Sequence, residues 1–128
     1  MKFKKLLMVI LAIVLVSCAP AFITTPTETP VTTDIPADIP IYSEHSDVLV
    51  LSDNAPYSSY SYRAYADLET VSQFYQTEMV NQGWVQTQEP ITYDNIAIIL
   101  HYQKDNKKAI IDMEYSNDFT GIGIALGP

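Results

Sequence analysis

DLETVSQFYQTEMVNQGW, from Asp67 to Trp84, is the stretch whose reading decides the fold. Its apolar residues Leu68, Val71, Phe74, Tyr75 and Met79 recur at intervals of three and four, which places them on one face of a helix. Asp67 suits the N-cap, where a carboxylate accepts a hydrogen bond from an amide of the open first turn. Glu69 sits in that first turn, at the positive end of the helix dipole. Gly83 tolerates the left-handed backbone that stops a helix. A helix with one apolar stripe buries it against another layer, and the flanking sequence predicts that layer to be a sheet.

Upstream, Val48–Leu51 is a short β-branched and leucine run ending at Ser52-Asp53-Asn54, with Asn54-Ala55-Pro56 as a turn. Tyr57–Ala66 then alternates, with Tyr60, Tyr62 and Ala64 on one face and Ser59, Ser61 and Arg63 on the other. The short connection makes this pair antiparallel. Downstream, Trp84–Gln88 reads as a strand, followed by Pro90 and a turn around Tyr93-Asp94-Asn95. Ile96–Gln103 is a longer strand with Ile96, Ile98, Leu100 and Tyr102 on one face and Ala97, Ile99, His101 and Gln103 on the other. Asp105-Asn106 forms a hairpin turn. Ala109–Tyr115 returns with Ile111, Met113 and Tyr115 inward and Asp112 and Glu114 in water; Asn117–Gly121 turns again, and Ile122, Ile124 and Leu126 mark a last strand. The expected fold is α+β, one helix on one face of an antiparallel sheet, in the chain order β-β-α-β-β-β-β.

Ahead of this domain, read as residues 41–128, the chain has a different character. Pro20, Pro26, Pro30, Pro36 and Pro40, with six threonines between Thr24 and Thr33, give a segment without apolar periodicity. Such a composition does not bury enough surface to offset chain entropy. Residues 18–40 therefore read as an extended tether, able to span roughly 65 Å at about 3.1 Å per residue in polyproline II form. Before it, Lys2, Lys4 and Lys5 precede an unbroken apolar run, Leu6–Val16. That run is short of the roughly 20 residues a membrane-spanning helix needs and fits the core of a signal peptide, residues 1–17.

The run ends at Leu15-Val16-Ser17-Cys18, which holds the only cysteine of the chain. This tetrad resembles the lipobox of bacterial lipoproteins. The resemblance implies cleavage between Ser17 and Cys18 and a diacylglycerol, with palmitate-type acyl chains, on the Cys18 thiol. Two chains hold a protein stably on a bilayer where one binds marginally. Ala19 stands where an Asp is associated with inner-membrane retention in Gram-negative lipoproteins. The expected location is therefore the outer membrane where one exists, and otherwise the outer face of the cytoplasmic membrane. A second resemblance covers most of the chain after the tether. Asp38-Ile39-Pro40-Ile41-Tyr42, Phe74-Tyr75 with Glu78-Met79, and Gly83-Trp84 look like a small domain recurrent in secreted bacterial proteins. No catalytic residue comes with that likeness.

Charge narrows the function classes. Without the three N-terminal lysines, Arg63, Lys104, Lys107 and Lys108 face all fifteen acidic residues, a net charge of −11. Such a surface repels nucleic-acid phosphates and anionic headgroups. A lone cysteine makes neither an intrachain disulfide nor a cysteine metal site. His45 and His101 have no third ligand at a recognisable spacing, so neither a metal nor a cofactor is expected. Asp112 and Glu114 share a strand face about 7 Å apart, a spacing open to a hydrolase's carboxylate pair. The plainer reading is a solvated face, with Lys104, Lys107 and Lys108 as cross-strand partners. Tyr57, Tyr60, Tyr62 and Tyr65 crowd one strand and serve either core packing or contact with a protein or cell-wall glycan. The sequence thus points to a non-catalytic, membrane-anchored module, with Ile99, His101 and these tyrosines as candidate contacts. An envelope hydrolase and a ligand-capturing lipoprotein are the alternatives.

Overall fold

The computed structural model describes residues 35–128. The predictions for Ser17, Cys18, Ala19 and the first part of the tether lie outside the described residues. The helix, α1 (Leu68–Asn81), forms as its sequence requires. The Asp67 carboxylate accepts the Thr70 N–H at 2.8 Å, and that bond holds the carboxyl below its usual range. At the other end Gly83 takes φ +87°. Gly83 N–H then reaches Val80 C=O and Trp84 N–H reaches Met79 C=O, both at 2.9 Å, the paired bonds of a Schellman stop. Leu68, Val71, Ser72, Tyr75 and Met79 are the buried stripe.

Among the described residues seven antiparallel strands make the layer beneath it: β1 (Leu49–Asn54), β2 (Tyr57–Ala64), β3 (Val85–Gln86), β4 (Ile91–Tyr93), β5 (Ala97–Lys104), β6 (Lys107–Ser116) and β7 (Phe119–Gly127). The spatial order is β1-β2-β7-β6-β5-β3, with β4 also paired to β5. The architecture is α+β, and its chain order carries one strand more than the sequence predicts. The added strand is β4, in a place read as the approach to a turn. Strands β3 and β4 together form one interrupted edge beside β5, and the register slips by two residues between them. Pro90 lies in the slip, where its missing N–H does no harm to the ladder.

Register places three apolar rows across the inner face of the sheet. One runs Leu100, Ile111, Ile124, Tyr60, Val50; the next runs Ile98, Met113, Ile122, Tyr62; a third runs Tyr102, Ala109, Leu126. Val71, Tyr75 and Met79 of the helix fill the space above these rows and are fully buried, as are Leu100, Ile111 and Met113. Two inward assignments are corrected. Tyr115 is exposed, its hydroxyl donating to Asn117 C=O in the turn that follows. Ile96 lies outside β5, in the turn after Tyr93, where Asp94 and Asn95 both have positive φ. The turn predicted over Asn117–Gly121 is only Asn117-Asp118, with Asn117 at φ +53°; Phe119 already pairs with Ser116.

The folded part begins earlier than Ile41. Ile39 is a core residue and Ile35 packs against the core. Trp84 donates its indole N–H to Asp38 C=O at 2.8 Å. Lys104, at the end of β5, closes the same corner. Its ammonium lies 3.1 Å from the Asp38 carboxylate and 2.8 Å from Gln82 C=O. The helix has no basic residue in its own last turn, so Lys104 supplies from the sheet the cation that a helix C-terminus favours.

Candidate interaction surface

An antiparallel pair directs opposed side chains to one face, so register alone builds the sheet face turned away from the helix. Tyr93 lies beside Ala97 and Ile91 beside Ile99, while His101 lies beside Ile110. Val85 joins them at the edge, opposite Gln103. Val85, Tyr93, Ile110 and Ile91 are 66, 53, 40 and 37% exposed, and Ile99 and His101 are half-buried. Val85, Ile91, Tyr93, Ile99 and Ile110 form a contiguous apolar area over β3, β4, β5 and β6, with His101 among them. It is fixed by the period-two alternation of β5, whose even-numbered residues Ile98, Leu100 and Tyr102 are in the core.

Next to this area the face changes character. Asp112 lies between Ile99 and Gly123, and Glu114 between Ala97 and Gly121, both exposed. Strand β7 presents Gly121, Gly123, Ala125 and Gly127 to this side, followed by Ser59, Ser61 and Arg63 of β2. Gly127 lets the Tyr57 ring lie close: a Cβ there would be 2.9 Å from it. At the other end Arg63 stacks over Phe119, 4.9 Å from the ring centroid. The result is an open surface with an apolar half and a low, polar half, and the two carboxylates run along the seam.

The predicted contacts separate accordingly. Ile99 and His101 lie on this outer face. His101 also accepts at its backbone C=O the Thr87 N–H, at 2.9 Å. Tyr57 and Tyr65 are exposed. Tyr60 and Tyr62 are removed from the candidate contacts, since both belong to the core rows under the helix. Tyr62 is held there by polar contacts: its hydroxyl accepts Tyr42 N–H at 3.1 Å and lies 2.6 Å from the Tyr75 hydroxyl. Tyr102 donates to Tyr75 C=O at 3.3 Å. Burial pushes all three phenols up: Tyr75 well above the ordinary tyrosine range, with Tyr62 adding to the effect, and Tyr102 to about 12.

Asp112 and Glu114 do share a face, but the expected lysine partners are not theirs. Among the described residues the one ion pair is Lys104 with Asp38, and Lys104 is on the inner side of the corner, away from both carboxylates. Among the described residues no three His, Cys, Asp or Glu side chains gather as a metal site, and no helix is long and apolar enough to cross a membrane. An open recess of about 450 Å³ lies beside β3, lined by Gly83, Val85, Thr87, Gln103, Lys104 and Asp105. Its one cation is already engaged by Asp38 and Gln82. Val85, Ile91, Tyr93 and Ile110 are the surface residues the sequence reading missed. The signal available was a pair of apolar residues two apart, Ile91 and Tyr93, straight after a proline.

The chain matches the START domain-like family over residues 52–118, just over half its length. It belongs to that family. The matched region runs from β1 through the β6–β7 turn and so takes in the helix and most of the outer face. Comparison with curated proteins and with solved structures finds no match.

Proposed function

We propose that this protein is a lipid-anchored component of the bacterial envelope whose domain is a non-catalytic interaction module, working through the sheet face opposite the helix. The observation that carries the binding part is the contiguous apolar area of Val85, Ile91, Tyr93, Ile99 and Ile110 on the surface. Large apolar side chains held together in water are found where a partner covers them. The space a small ligand would need between helix and sheet is occupied by Tyr75, Met79, Leu100 and Met113, which favours a surface partner over an enclosed ligand. The anchoring part rests on the lipobox likeness at Leu15-Val16-Ser17-Cys18 and on an acidic chain that has no electrostatic means of adhering to anionic lipid.

A photo-crosslinking residue at Ile99 or Tyr93, with a control at Gln73 on the helix, tests the face in intact cells. A discrete adduct from the sheet positions and none from Gln73 is expected; the same smear from both would refute it. Labelling with a palmitate analogue tests the anchor separately. Label in the wild type and none in Cys18→Ala is expected, and equal label overturns it. Purified protein and Asp112→Asn, compared on cell-wall and glycan substrates, should give the same background. Turnover lost in the variant would replace this reading with the hydrolase.

A further inference from the structure

Among the described residues the sheet has an open edge at β1: this strand pairs only with β2, so one side of its backbone has no strand beside it. Side chains at such edges are ordinarily charged or interrupted by proline, which discourages added strands. Here the edge reads Leu49-Val50-Leu51-Ser52, with Leu49 and Leu51 at 60 and 65% exposed. Its protective devices are the exposed Asp53 near its end and the register shift between Val50 and Ser52, which leaves Leu51 without a partner on β2.

Two features describe what fits this edge. The first is the core row Leu100, Ile111, Ile124, Tyr60, Val50. It ends at Val50, which is half-buried, so an apolar side chain on an added strand would lengthen that row by one. The second is charge. Asp47 and Asp53 are exposed three residues either side of Val50, Glu44 lies just before them, and no Lys or Arg occurs between Ile35 and Tyr62. A second copy of the chain fits poorly. A second copy laid antiparallel along the same edge brings its own Glu44, Asp47 and Asp53 to the seam with no Lys or Arg there to offset them, and like charges brought together across a strand pair destabilise it.

We infer that the β1 edge accepts an extended peptide of a partner protein by strand addition, and that the peptide carries an apolar residue opposite Val50 and a Lys or Arg toward each end. Main-chain bonds then supply the hold, and the alternate side chains and flanking bases supply the choice of partner. This site is separate from the apolar area over β4 and β5, at the far edge of the sheet, and each can fail without the other.

The probe is the peptide Lys-Val-Thr-Val-Thr-Val-Lys, set against its counterpart with Glu for both Lys. Both are titrated into the full chain in neutral detergent, with amide hydrogen exchange read residue by residue. The lysine peptide is expected to bind, to slow exchange in Leu49–Asn54, and to weaken as salt is raised; the glutamate peptide is expected not to bind. Asp47→Asn with Asp53→Asn, which touches only exposed side chains, should weaken binding by about tenfold, as two exposed ion pairs would. Val50→Thr, which keeps the β-branch, should also weaken it. Four results overturn the inference: no binding, equal binding of both peptides, protection confined to Ile91–Gln103, or β1 protection without peptide accompanied by dimerisation. The last would assign the edge to a second copy.

Discussion

Replacing the hydroxyls of Tyr62 and Tyr75 one at a time tests the polar contacts of the core most sharply, because the two changes leave different groups stranded. Tyr75→Phe removes one hydroxyl. Tyr62 keeps the Tyr42 N–H it accepts and loses its neighbour at 2.6 Å. One buried bond of this kind is a net contribution of about 1 kcal/mol, and a stranded donor adds to its loss, so the expected cost is about 1–2 kcal/mol. Tyr62→Phe strands both the Tyr42 N–H and the Tyr75 hydroxyl, and Tyr75 is fully buried. Two orphaned groups place the cost at about 2–4 kcal/mol. In the double variant only the Tyr42 N–H is orphaned, and that group is only partly buried, so the cost returns to about 2 kcal/mol. The double variant is therefore no worse than Tyr62→Phe alone, and the cycle shows an interaction of about 1 kcal/mol or more. Urea unfolding followed by Trp84 fluorescence measures all four proteins. Equal costs for the two single changes, or costs that simply add, would refute this account of the pair.

Three further outcomes are expected. Gly83→Ala puts a Cβ on a residue at φ +87°, where the space is adequate and the backbone conformation is not; it should cost about 1–2 kcal/mol in urea unfolding, and Gly83→Asn less, since Asn also serves at helix stops. Lys104→Met keeps the aliphatic stem and removes the cation shared by Asp38 and Gln82; a loss of about 1 kcal/mol and a shift in Trp84 emission are expected, whereas Lys107→Met should change neither. Stability should also fall in alkali. Burial raises the folded-state pKa of Tyr62, Tyr75 and Tyr102, so their contribution is complete below pH of about 10, the unfolded value. It is lost as pH rises from there toward the folded values, at up to about 1.4 kcal/mol per pH unit for each tyrosine. Urea midpoints at pH 8, 9.5 and 11 check this, and an unchanged midpoint at pH 11 contradicts it.

What was legible in the sequence was what local chemistry decides. Asp67 and Gly83 bound the helix because a cap needs a carboxylate and a left-handed stop needs a glycine, wherever the helix sits in the molecule. The alternation in β2, β5 and β6 likewise sorted Tyr60 from Ser61 and Ile111 from Asp112. It did not tell that the face bearing Tyr60 and Tyr62 was the one under the helix, which is a matter of strand order and not of period. Tyr115 shows the same limit: its parity is inward, but its ring is exposed and its hydroxyl bonds to Asn117 C=O in the next turn. Strand β4 is three residues long, all exposed, and exists because β5 offers an edge to pair with. Ile39 was hidden by its neighbours, since isoleucines between prolines read as tether until Trp84 and Lys104 close over them. Lys104 itself was assigned to nearby carboxylates, whereas its partners lie 66 positions away at Asp38 and 22 away at Gln82.

The corner formed by Asp38, Trp84 and Lys104 has a mechanical consequence. Tension on the chain ahead of Ile35 enters the fold at this corner before it reaches the β1 edge. The Trp84 indole passes it to the end of the helix, and the Lys104 ammonium passes it to β5, a strand bonded to β6 along its full length. A pull then loads many backbone bonds together, instead of peeling β1 from β2 one bond after another. The two surfaces proposed for partners lie downstream of that corner, so a domain held at one end and gripped at the other would keep both in register under load.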